Sequence, residues 1–354
     1  MKKFCVFSGF LGSGKTTTMM ALTKYFSENY AKAAMISNDL GHGVSLADNR
    51  LAELCGCNAS QMTEDCICYQ NENLADRLDS LYSDGCEIVI SDIPGFGVGA
   101  LEHVYHGLNE KFPGRFELAP FTVLAEPATV RLLMKGEGGD LDYIYRTQLS
   151  EADLIVLNKC DTVSDEEKNK LSAWLKEEYP EADVICISAL TGDGFDLLSA
   201  ALKNGSASMR RPDIGYGGEA FMGAMSEISE YYIQYFASVC CNDFDGNDYL
   251  NSLADSVSED IAEAGFEIPH LKLLAWEGEG DYGKRDLIGK NRPVEYTHNF
   301  SNRCTDIAVI LNSSAQCPAV KLDEIITGAV DKVSKEYNLE ITIHKKECMA
   351  MGPQ

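Results

Sequence analysis

Positive charge is scarce in this chain. Lys and Arg number 30 against 55 Asp and Glu, a formal net charge of −25 at pH 7. Proteins hold polyanions by neutralising phosphates with Lys and Arg, so no nucleic-acid partner is expected. An anionic membrane surface is disfavoured for the same reason. Long apolar runs are missing too. The stretch before Gly9 is only strand-length, too short for a signal peptide or a membrane span, so no membrane partner is expected. There is no internal repeat and no low-complexity tract. The 13 cysteines are odd in number and spread through predicted strands and loops. That pattern predicts a cytoplasmic, reduced protein in which most cysteines are small core hydrophobes.

What is present is an alternation of strands and helices. The 354 residues are comfortable for two domains, and 45% apolar content supplies a sizeable core. Apolar runs at residues 2–8, 33–37, 87–91, 121–124, 153–157 and 183–187 read as strands. Helices are expected from Thr16 to about Asn29 and over 72–83, 100–111, 165–178 and 194–202, with helical pieces in 127–150. Residues 44–70 show no clear period. Each strand delivers polar residues at its carboxyl end, which describes an open, mostly parallel α/β sheet with its ligand outside those ends. Domain 1–203 is followed by a Gly-, Ser- and Pro-containing linker, 204–218. Domain 219–354 then reads strand (229–239), helix (248–264), strands around 270–276 and 306–312, helix (322–337) and strand (340–344), the ferredoxin-like α+β order.

The first strand empties into Gly9-Phe10-Leu11-Gly12-Ser13-Gly14-Lys15-Thr16-Thr17, which fits G-x-x-x-x-G-K-[ST] at every fixed position. Glycines let successive N–H groups turn toward phosphate oxygens, and the helix N-terminus adds donors and a favourable dipole. Lys15 offers a point charge to the β- and γ-phosphates, and Thr16 a hydroxyl to Mg²⁺. Asp92-Ile93-Pro94-Gly95 has the form D-x-x-G, placing a magnesium carboxylate at Asp92 and a γ-phosphate N–H at Gly95. Asn158-Lys159-Cys160-Asp161 has the form N-K-x-D, whose aspartate accepts from guanine N1–H and its amine. A site built on such bonds rejects the wrong base by roughly 10⁴. Ser188-Ala189 sits where a backbone N–H meets guanine O6. In this order, each on a strand end, the four motifs define a GTP site.

The other signal is cysteine. Cys66-Ile67-Cys68 puts two thiols on one side of an extended chain, and Cys55-Gly56-Cys57 repeats the spacing. Thiolates select Zn²⁺ or other borderline ions such as Co²⁺; buried or merely reactive cysteines are the alternative. The G-F-L-G-S-G-K-T-T loop, the Asn38-Asp39-Leu40-Gly41 loop, the C-I-C segment and N-K-C-D together resemble the CobW/HypB/UreG family of metal-handling P-loop GTPases. The resemblance covers residues 1 to about 202, and the small C-terminal domain resembles the CobW branch.

The resemblance implies a SIMIBI-type P-loop fold and a GTP-hydrolysing metallochaperone or cofactor-insertion factor. Its partners would be a guanine nucleotide with Mg²⁺ and a client metalloprotein or corrinoid protein, with a homodimer left open. Lys15, Asp92 and Asp39 would serve catalysis. Gly9, Gly12, Ser13, Gly14, Thr16, Thr17, Asn38, Gly95, Asn158, Lys159, Asp161, Ser188 and Ala189 would complete the nucleotide site. Thr16 and Asp92 would hold Mg²⁺. Cys66 and Cys68, with Cys55, Cys57 or His42 completing the set, would hold Zn²⁺ or Co²⁺. Three departures stand out: Tyr69 replaces the family's third cysteine, Asp39 a glutamate, and Asp92 opens D-I-P-G where Glu-Ser/Thr-x-Gly is common. A GTP-dependent interaction module without metal transfer is the alternative, and a P-loop small-molecule kinase a weaker one.

Overall fold

The apolar runs at Phe4–Phe7, Ala33–Ile36 and Ile88–Ile90 are continuous rather than alternating, as strands covered on both faces must be. All of them pair in parallel. The computed structural model describes residues 2–38, 47–62, 67–137, 141–214, 218–226, 228–239, 242–278, 280–289 and 294–350. Two units emerge, Met1–Phe221 and Met222–Gln354.

The first unit runs β1 (Lys3–Gly9), α1 (Lys15–Asn29), β2 (Ala33–Asn38), α2 (Ala47–Leu54), β3 (Ala59–Met62), α3 (Asn71–Ser83), β4 (Ile88–Asp92), α4 (Gly107–Lys111), β5 (Glu117–Leu118) and β6 (Thr122–Ala125). It continues with α5 (Pro127–Lys135), α6 (Asp142–Glu151), β7 (Leu154–Leu157), α7 (Asp165–Glu178), β8 (Asp183–Cys186) and α8 (Phe195–Asn204). The sheet order is β3-β2-β4-β1-β6-β7-β8, with β5 beside the start of β1. Residues Phe4 and Val6 face one core cluster with α3 to α7; Cys5 and Phe7 face another with α1, α2 and α8. Helices thus cover both faces of a parallel sheet, as expected. The chain moves from β1 to one side of the sheet and returns through β4 before crossing to β6, so the carboxyl end of β1 lies at the switch point.

Three features differ from expectation. The segment 44–70 holds α2 and β3, too short to show a period. The expected helix over 100–111 is π-helical from Leu101 to His106 before α4. There Asn71 Nδ2 donates to the carbonyl of His103 at 3.2 Å, and its amide leaves no room for a Cβ at Gly107. The third is residues 205–214, which follow a fixed path. Lys3 Nζ donates to Gly205 O (2.7 Å), Ser208 Oγ to Asp153 (2.5 Å) and Tyr143 Oη to Ile214 O (2.7 Å).

After α9 (Glu219–Ser226), the second unit runs β9 (Ser229–Val239), α10 (Gly246–Glu263), β10 (Glu267–Glu277), β11 (Asp281–Ile288), β12 (Glu295–His298), β13 (Asp306–Gln316), α11 (Ala319–Glu336) and β14 (Leu339–Ala350). The antiparallel order β10-β13-β9-β14 is ferredoxin-like, and β11 and β12 extend it at the β10 edge. Those two strands were not anticipated. The last strand continues to Ala350, so Cys348 is paired with Tyr231 rather than lying in a frayed tail; its thiol donates to Ala319 O. His270 is half-buried with Nε2 3.9 Å from Asp286 Oδ1. Cys240 and Cys241 lie outside the described residues. No helix among the described residues is long and apolar enough to cross a membrane.

Candidate functional site

Strand β1 ends on Gly9 at φ 133°, where a Cβ would lie 2.2 Å from Leu124 O of β6. Gly14, at φ 86°, is the N-cap of α1; a Cβ there would stand 2.5 Å from Asn158 Nδ2. Only glycine allows the loop to pass so close to β6 and to the N-K-x-D segment. Lys15 Nζ donates to Gly9 O (2.8 Å) and Phe10 O (3.1 Å), so the ammonium folds over the loop it belongs to. Gly12, at φ 69°, makes the turn between. Thr16 and Thr17 continue the first turn of α1, half-buried. That turn carries no acidic side chain and no side-chain cap, leaving backbone donors and the helix dipole for an anion. Ser13 Oγ is buried without a hydrogen-bond partner among the described residues.

Asn158 organises the base side. It is 1% exposed; Nδ2 donates to Ser13 O at 2.8 Å and to Thr18 Oγ1 at 3.4 Å, and Oδ1 accepts from Ala189 N at 2.9 Å. One side chain therefore ties the phosphate loop to the Ser188–Ala189 loop. Both N–H groups offered there for guanine O6 are engaged in this arrangement, since Ser188 N donates to Asp193 O (3.0 Å). Lys159 holds φ 58° and Asp161 is exposed on the short turn that follows β7.

Asp92 ends β4, 7% exposed, and its Oδ1 accepts from Asn38 N at 3.1 Å. Asn38 ends β2, 1% exposed, and its Oδ1 accepts from Ile67 N at 3.2 Å. The D-x-x-G carboxylate is thereby two hydrogen bonds from the residue between Cys66 and Cys68. Gly95 packs on the phosphate loop, where a Cβ would be 2.3 Å from Leu11 Cδ2. Two residues of this site carried no sequence signal. Gln148 Nε2 donates to Gly95 O and Gly97 O, each at 2.9 Å. Glu151 accepts from Gly99 N (2.9 Å) and Leu101 N (3.1 Å), and burial pushes its carboxyl up to about 7. Both were absorbed in an undifferentiated helical stretch, 127–150 and its end.

The thiols are dispersed. Asp39, Gly41, His42 and Cys66 lie outside the described residues. Cys68 is buried in the cluster with Ile67 and α3, while Cys57 packs against the cluster on the opposite face of the sheet, its thiol 3.8 Å from Met20 O. Burial raises the Cys57 pKa. The structure thus does not bring Cys57 to Cys68, and Cys55, half-buried, accompanies Cys57. Tyr69 is 57% exposed, its ring 5.8 Å from that of His103. Among the described residues no three His, Cys, Asp or Glu side chains converge as a metal site.

A parallel sheet whose switch-point strand opens through a glycine loop into a helix defines a P-loop nucleotide-binding domain. Residues 3–186, slightly more than half of the chain, match the family model for the CobW/HypB/UreG nucleotide-binding domain, and the chain belongs to that family of GTPases. It is similar to "GTPase Obg" of Rickettsia felis, 33% identical over 147 residues, which cover 38% of this chain and 41% of that protein. The chain thus spans about two fifths of the length of the curated relatives it matches. Similar solved structures include the Zn(II)-bound YjiA GTPase from E. coli, at 17% identity, 94% and 98% coverage of this and that chain, and TM-score 0.40. HypB from Helicobacter pylori in complex with nickel matches at 19% identity, 59% and 90% coverage, and TM-score 0.43. At those TM-scores the structural likenesses carry no weight for fold or function.

Proposed function

We propose that this protein is a Mg²⁺-dependent GTPase whose nucleotide state governs the handling of a thiol-loving ion, Zn²⁺ or Co²⁺, passed to a client metalloprotein or corrinoid protein. The observation that carries the reading is the bond sequence Asp92–Asn38–Ile67, which links the D-x-x-G carboxylate to the C-I-C segment.

The residues suit the magnesium ion. Hard oxygen donors are what Mg²⁺ takes, the Thr16 hydroxyl and the Asp92 carboxylate supply them, and Ser13 adds an orphaned buried hydroxyl on the same loop. When bound, Mg²⁺ neutralises charge that gathers on the β- and γ-phosphate oxygens. Lys15 and the α1 N–H groups hold those phosphates. Asn158 keeps the phosphate and base loops in register, and Asp161 reads guanine. Asp92 would hold the magnesium ion, and a change in that carboxylate would be felt at its bond from Asn38 N. Through Asn38 Oδ1 such a change would reach Ile67 N, the residue before Cys68. A thiol pair sensing nucleotide in this way must, by linkage, make metal change nucleotide affinity by the same factor, about 5–150-fold for coupled sites. With Tyr69 in the third-cysteine position the low end is expected.

The test is a Zn²⁺ titration with a non-hydrolysable GTP analogue and then with GDP, for the parent and for Cys66→Ser/Cys68→Ser. Different affinities in the two states, abolished in the double variant, support the reading. Equal affinities, or unchanged Zn²⁺ binding by the double variant, leave a GTP-dependent interaction module, which the exposed Tyr69 favours.

A further inference from the structure

We propose that Gln148 of α6 is the positioning residue of the D-x-x-G turn, holding its peptides in the orientation from which the turn answers the γ-phosphate. The inference rests on the reading of Asp92–Gly95 as a nucleotide switch.

Gln148 is fully buried, and its single amide nitrogen serves two carbonyls of the turn, Gly95 O and Gly97 O, at 2.9 Å each. An amide has two N–H donors, so both are used on two peptides of the turn. Three residues on, Glu151 takes Gly99 N and Leu101 N. Positions three apart share a helix face, so one face of α6 grips the turn from Gly95 to Leu101. Donation falls on its first half and acceptance on its second. The segment gripped alternates Gly95, Gly97 and Gly99 with the buried Phe96, Val98 and Ala100, its Gly97 N donates to Pro94 O at 2.7 Å, and it enters the π-helical stretch Leu101–His106. Irregular turns of this kind recur at functional sites.

The grip is incomplete in a telling way. Gln148 Oε1 is buried and has no hydrogen-bond partner among the described residues. An idle buried acceptor is unfavourable. A second arrangement of the turn that brings an N–H to Oε1 would be favoured by that same amide, so Gln148 can hold the turn in either of two states. Gln148 does not reach the phosphates itself. It acts through Gly95, which touches Leu11 of the phosphate loop so closely that no Cβ fits between them. The helix carrying it is also tied to α5, where Arg146 donates to Leu133 O at 2.7 Å.

Two variants test this, Gln148→Met, which keeps the length and loses both donors, and Gln148→Glu, which keeps the shape and turns donors into acceptors. For each, GDP affinity, affinity for a non-hydrolysable GTP analogue, kcat, KM and the thermal midpoint are measured, with Lys15→Ala alongside. In both variants kcat and GTP-analogue affinity fall about tenfold, the worth of roughly one buried hydrogen bond, while GDP affinity stays within about twofold. A structural role alone would weaken both nucleotides together. Equal losses for GDP and the GTP analogue, parental kcat, or loss of folding in both variants overturns the proposal. Should Lys15→Ala hydrolyse GTP as the parent does, the reading of the phosphate site itself has failed. Should Lys15→Ala be inactive while Gln148→Met matches the parent, only the role of Gln148 has failed.

Discussion

Replacing Asn158 by alanine removes a side chain that joins the phosphate loop to the base loop. Two of its bonds are well formed, to Ser13 O at 2.8 Å and from Ala189 N at 2.9 Å; the third, at 3.4 Å to Thr18, is near the limit and adds little. Each good bond contributes about 1 kcal/mol net, and an orphaned buried partner costs about 1–3 kcal/mol more. Ala189 is half-buried, so water can satisfy its N–H, whereas Ser13 is fully buried. The sum is about 2–3 kcal/mol. Because both bonds orient loops rather than the core, most of it should appear as nucleotide affinity, about 30–150-fold weaker for GDP and GTP alike. Titration of a fluorescent nucleotide measures the affinity, and a urea unfolding curve separates it from global stability. If Asn158→Ala folds and binds within about threefold of the parent, the two loops are held by something else and the reasoning is refuted.

Asp161→Asn should sharply weaken GTP and improve xanthosine triphosphate, since the amide reverses one hydrogen-bond role at the base; competition binding with both nucleotides decides it. Lys15→Ala removes the charge over the phosphate loop and should lower hydrolysis at least 10²-fold, about 2.7 kcal/mol of barrier, by phosphate release. Glu151 titrates near 7 in the folded chain against an ordinary 4.5, chiefly through burial. The folded state therefore binds its proton more tightly, and this group's share of stability falls as pH rises from about 4.5 to 7. Glu151→Gln should remove that slope, gaining on the parent by on the order of 3 kcal/mol at most between pH 4.5 and 8, read from urea midpoints.

The phosphate-loop and N-K-x-D motifs were legible because each is a local run of chain, whereas the bonds that join them, such as Asn158 to Ser13, are not. Glycine is demanded at Gly9 by backbone passing backbone and at Gly14 by a left-handed φ beside the Asn158 amide, and N-K-x-D presents its residues from one turn, so spacing alone carries the signal. Long strands declared themselves by continuous apolar runs; the four-residue β3 and the two-residue β5 are too short for any period to appear. The π-helical turn has the composition of an ordinary helix, and the Asn71 amide that meets His103 there comes from a distant part of the sequence.

The sequence by itself determined the parallel sheet, the glycine-rich loop, the N-K-x-D turn and the ferredoxin-like order, because these follow from periodicity and from motifs contained within a few residues. Tertiary structure alone decided which distant groups meet. Cys57 and Cys68 share a spacing pattern, yet their clusters lie on opposite faces of the sheet, since Cys57 follows α2 on one face and Cys68 lies in the turn leading into α3 on the other. Gln148 and Glu151 look like any polar residues of a helix. They grip the D-x-x-G turn, more than fifty positions away for Gln148 and Gly95, because the fold presses one face of α6 against it. A contact of that kind is written in no local pattern.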